Sequence, residues 1–207
     1  MVADGNERQR LLRAALQLEW LTAGWMAVEA AVAVASAIVA HSMTLIAFGL
    51  DSLIELASAG ALIWRLRSEF RSGSGVSEHV EAVARRIAGG LLLALAVYVV
   101  AGAGWSLWRG EGGAFSWLGL AVAVLAIPVM LILARRKRAV AGQLESRALR
   151  DDAAEAVACL WLSLVVVVGL VAQLAFGAWW IDAVTSLAIV WFLVKEGREA
   201  WEGDEEG

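Results

Sequence analysis

Asp51 and Glu55 stand four residues apart inside an apolar stretch, so on a helix both project from one face, and Ser58 continues that face. Asp152, Glu155, Cys159 and Ser163 follow at spacings of three, four and four, which again makes one helical stripe. Asp51 and Glu55 from one helix, with Glu155 and Cys159 from another, supply three carboxylates and a thiol. That is a four-coordinate donor set of the kind zinc accepts in tetrahedral geometry, and a thiolate favours the softer metals, cadmium among them. Glu29 and Asp182 lie in similarly apolar surroundings. An ionised acid at the centre of a bilayer costs about 2.5–3.5 kcal/mol on insertion scales, so such acids must hold a proton, face water or hold a cation. Each also has a structural reading. Asp182, beside Trp179 and Trp180, caps a sixth helix or joins an ion path. Glu29 hydrogen-bonds a neighbouring helix or joins the same path. Cys159, the single cysteine, is a small buried hydrophobe or a ligand. His41 and His79 read as solvated residues of turns and loops.

These residues need membrane helices to position them. Of 207 residues 60% are hydrophobic and 18% charged, with mean hydropathy +0.70. A soluble domain is roughly 45–50% apolar and about a quarter charged, so the composition predicts an all-α polytopic membrane protein. Six stretches have the length a bilayer requires, about 20 residues each: Glu19–Ala40, Ser42–Trp64, Ile87–Trp108, Phe115–Ala134, Asp152–Phe176 and Trp179–Val194. They contain no Lys or Arg. All of the 17 basic residues except Arg109 fall on one side of these spans, and Lys137 is counted there with the loop between helices 4 and 5. The positive-inside rule then puts both termini in the cytoplasm. Trp20, Trp64, Trp105, Trp108, Trp117, Trp179, Trp180 and Trp201 sit near predicted helix ends, where indoles favour the interface. Trp25, Trp161 and Trp191 fall deeper and read as packing residues, and Pro128 as a kink inside helix 4.

The organisation expected is a cytoplasmic segment over 1–18, a transmembrane domain over 19–198 and a short acidic tail over 199–207. The loop from Ser68 to Ser77, with Ser72-Gly73-Ser74-Gly75, reads as a flexible linker. One cysteine excludes an internal disulfide, and a net charge of −4 with a pI near 5.3 argues against a nucleic-acid partner. Helices 2 and 5 are the middle helices of two three-helix halves that run in opposite directions, a plan recurrent in transporters with a site between the halves. No HExxH or GxSxG motif is present, and no enzyme is expected. Besides a metal transporter, the acids suit a membrane interaction protein that pairs them with a partner's basic residues, or a proton-coupled exporter of organic cations.

The run from His41-Ser42-Met43-Thr44 to Leu50-Asp51-Ser52-Leu53-Ile54-Glu55 resembles the second helix of the cation diffusion facilitators, or cation efflux family. Ser146-Arg147-Ala148-Leu149-Arg150-Asp151-Asp152-Ala153-Ala154-Glu155 is similar to that family's fifth helix, and Trp180-Ile181-Asp182 through Glu196-Gly197-Arg198-Glu199-Ala200 to its sixth. Carried over, Asp51 and Glu55 match the helix-2 ligands, Glu155 the helix-5 His, Cys159 the helix-5 Asp, and Asp152 the aspartate that precedes them. A second register pairs Asp151 with Glu155. No histidine remains in the matched site, and the family's C-terminal cytoplasmic domain has no counterpart. The resemblance implies a transmembrane-only member of the cytoplasmic membrane. It also implies divalent metal efflux, zinc-type, driven by proton exchange, commonly as a homodimer and with no prosthetic group.

Overall fold

The computed structural model describes residues 5–72 and 78–202. These form six helices: α1 (Gly5–Ala40), α2 (Met43–Ser72), α3 (Glu78–Arg109), α4 (Trp117–Leu144), α5 (Arg147–Phe176) and α6 (Trp180–Glu202). Five of them, α1 to α5, are long and apolar enough to cross a membrane. The linker expected from Ser68 starts later than the sequence suggests, because α2 continues its internally bonded backbone through Ser72; residues 73–77 and 203–207 and the side chain of His79 lie outside the described residues.

The two ends of the bundle differ. At the end away from the basic segments, helix termini match the apolar spans to within two residues. At the basic end most helices run on well past them. Hydropathy marks where the bilayer ends. The helix itself continues, because its backbone hydrogen bonds are already satisfied internally and need no lipid. One consequence corrects the sequence reading. Lys137 belongs to α4 and is buried, so a basic side chain does stand among the helices.

Two turns share one chemistry. Between α1 and α2, His41 takes a left-handed conformation (φ 53°) and Ser42 N–H bonds back to Ala37 O. Between α4 and α5, Glu145 does the same (φ 52°) and Ser146 N–H bonds back to Ala141 O. In both, the serine hydroxyl then accepts from the amide three residues on, Leu45 or Leu149, capping the next helix. The first turn is at the far end and the second at the basic end, as two halves of opposite orientation require.

Side-chain packing divides the bundle into α1, α2, α4 and α5, with α3 and α6 paired alongside and touching α2 and α5. A central core draws on all six helices, including Ala33, Phe48, Val99, Val122, Leu162 and Ile189. The eight end-positioned tryptophans are exposed, as an interfacial belt should be. Trp161 and Trp191 are exposed too, which overturns their assignment to the interior. A face turned to lipid carries large apolar groups at no cost, so depth along a helix does not imply burial in the protein.

The far end is cross-tied by the connection between α3 and α4. Ala114 N–H bonds to Ala40 O at 2.7 Å, and Gln173 of α5 donates to Gly113 O. Gly113 must be glycine for this fit, since a Cβ there would lie 2.6 Å from Ser42 Cα.

Candidate metal centre

α2 carries Asp51 and Glu55 one turn apart, and both turn inward toward α5 and α6. Asp51 is 2% exposed, and its Oδ1 is buried without a hydrogen-bond partner. Glu55 accepts a hydrogen bond from the Cys159 thiol of α5, so the two stripes read from the sequence do meet. Cys159 is buried, and Ser163 one turn on donates to its carbonyl at 2.8 Å.

The third acid beside Asp51 and Glu55 comes from α6. One carboxylate oxygen each from Asp51, Glu55 and Glu196 lie within 4.8 Å of one another, and Glu196 Oε1 is buried with no hydrogen-bond partner. Among the described residues this is the one group of acids, cysteine or histidine that converges so closely. Sequence reasoning missed Glu196 as a site residue because the apolar span ends at Val194. A usable signal was present: Glu196 follows the apolar run Trp191-Phe192-Leu193-Val194 without a helix-breaking residue.

The other predicted residues are distributed around this centre. Glu155 is itself exposed on α5 and lies outside the convergent trio. Asp151 is also exposed, so in this conformation the second register brings no further α5 acid into the trio. Asp152 pairs with Lys137 at 2.6 Å, and Lys137 reaches Glu19 of α1 at 3.1 Å. That triad ties α1, α4 and α5 together at the basic end. Glu29 accepts from Trp25 Nε1 at 2.6 Å and lies 2.7 Å from the Ser52 hydroxyl, which is shared with Phe48 O. Both Glu29 oxygens are thus engaged, and they brace α1 against the residue next to Asp51.

Asp182 is a cap, but of α2 rather than α6. Its carboxylate accepts from the Ser42 hydroxyl (2.5 Å), Met43 N–H (2.8 Å) and Thr44 N–H (3.3 Å), the orphan donors of the α2 start. Thr44 hydroxyl returns a bond to Asp182 O at 2.8 Å. A negative group at a helix N-terminus is also favoured by the helix dipole.

A family model described as the cation efflux transmembrane domain matches residues 21–202. The chain belongs to the cation efflux family. No curated protein matches it as a relative. Membership makes this a multi-pass membrane protein that moves metal cations out of a compartment, and it gives the buried acids of α2 their setting. Oxygen donors from two helices, with a thiol hydrogen-bonded to one of them, can coordinate a divalent cation directly.

Proposed function

We propose that this cation efflux transporter exports a divalent metal of the zinc type, cadmium included, in exchange for protons. The metal is held by Asp51 and Glu55 with Cys159, and Glu155, exposed on α5, is the further acid that the sequence offers to the site. The transporter works in the cytoplasmic membrane with both termini inside, as a homodimer. The single observation that carries the reading is the Asp51 carboxylate. It is buried, one of its oxygens has no partner, and it faces further acids within 4.8 Å. A buried anion in that position must be neutralised by a proton or by a cation. Two charges on one metal ion satisfy several carboxylates at once, and the ligands bind metal in their deprotonated form, so metal and proton compete for the same oxygens. Concentration of basic residues at one end of the helices supports the orientation.

Purified protein in liposomes, with a metal-reporting dye inside and an imposed proton gradient, tests the reading. Zinc flux should follow the gradient. Asp51→Asn and Glu55→Gln keep shape and lose the anion, and each should abolish flux while the protein elutes as the native species. Native flux in both variants would overturn the assignment.

A further inference from the structure

Glu196 stands on the one helix of the site that is built into the α3–α6 pair. Beside it, α6 and α3 touch backbone to backbone: a Cβ on Gly89 would lie 2.9 Å from Gly197 O, and one on Gly197 would lie 3.1 Å from Gly89 O. Ala200 and Leu93 close the contact on either side, so the residues flanking Glu196 are packed tightly enough to move with α3. The opposite end of α6 is fastened to α2 through Asp182 and its bonds to Ser42, Met43 and Thr44. In the basic half of α6, beyond the shared core at Ile189 and Leu193, Glu196 faces Asp51 and Glu55 of α2. Those three acids repel one another when ionised and empty, and Asp51 and Glu196 each carry a buried oxygen without a hydrogen-bond partner. A divalent cation placed there reverses the sign of the interaction.

We infer that Glu196 is a third carboxylate ligand for the transported divalent cation, and that through it cation occupancy draws the basic half of α6, with α3, onto α2. This rests on the divalent-cation reading above and adds to it a ligand and a coupling. A ligand can shift an equilibrium between two helix arrangements only by binding them unequally. A donor on the moving helix provides that inequality, because the cation gains the Glu196 oxygen only when the helices are together.

Calorimetric titration of purified protein with zinc alone, and distance measurement between spin labels on Gly60→Cys of α2 and Trp201→Cys of α6, test the inference together. Glu196→Gln should weaken zinc binding at least tenfold, Glu196→Asp should restore it to within a few fold, and Glu199→Gln should leave it unchanged. Zinc should shorten the label distance in the otherwise native protein and leave it unshifted in the Glu196→Gln background. Restoration by Asp separates a ligand from a residue needed only for folding. If Glu196→Gln binds zinc as tightly as the native protein and the labels still move, Glu196 is a bystander and the inference falls while the transport reading stands. If the native protein binds no zinc, both fall.

Discussion

At Cys159 the thiol donates to Glu55, so the one soft atom of the site is in reserve beside a hard oxygen ligand. A metal that displaces the thiol proton gains a sulfur ligand, and the gain is larger for a soft ion than for a hard one. Cys159→Ser should therefore lower cadmium affinity by roughly tenfold or more and manganese affinity much less. Equal losses in calorimetry would make Cys159 a packing residue. Glu155 sits differently. It is exposed on α5 and outside the trio, so Glu155→Gln should reduce flux less than Asp51→Asn does, measured side by side in the same liposomes. Complete loss in Glu155→Gln would mean that α5 must turn to bring this acid to the metal.

Among the elements, α4 carries the least expected side chain. Lys137 is 1% exposed and bonded to Glu19 and Asp152, and it holds three helices at one level. Removing one partner from a buried ion pair leaves uncompensated charge, typically a loss of about 3–5 kcal/mol. Lys137→Met should lower the unfolding temperature in detergent sharply, and adding Glu19→Gln should recover part of the loss because it removes one stranded acid. A fall no larger in the single than in the double variant would mean that the triad contributes nothing as a charge network. The helices themselves, the α2 pair and the facing of Cys159 toward it were legible in the sequence, because apolar runs and i, i+4 spacings are local. Lys137 was not, since hydropathy stops at Ala134 while the backbone stays helical, and Glu196 was marked only by the unbroken run that carries α6 past Val194. Nor was the true partner of Asp182 legible. Ser42 is 140 residues away, and a cap supplied from another helix leaves no local pattern. Asp182→Ala should cost about 0.5–2 kcal/mol, the usual range for a lost cap, visible as a lower unfolding temperature with zinc affinity retained.

For the whole molecule, competition between protons and metal fixes the sign of the pH response. The carboxylates bind metal after losing their protons, so zinc affinity should fall as pH falls from 8 to 6. The binding enthalpy, measured in buffers of different ionisation enthalpy, should show protons released per metal bound. A release of zero across that interval would leave a pathway uncoupled from protons. Orientation is tested separately: Arg136→Cys should be labelled only from the cytoplasm and Arg109→Cys only from outside, and the reverse pattern would invert the topology. The pairing of α3 with α6 also has a bearing on how the chain is made. Helices α1 and α2, and α4 and α5, are joined by turns so short that each pair can enter the bilayer as a hairpin soon after synthesis. By contrast, α3 emerges with most of α4 to α6 still to come, and the surface around Gly89 stays open until Gly197 arrives. Until then the glycine surface of α3 at Gly89 lacks the α6 backbone that covers it in the finished fold. Chains halted after Phe176 should accordingly be cleared faster than completed ones, and α3 should be the helix through which they are recognised.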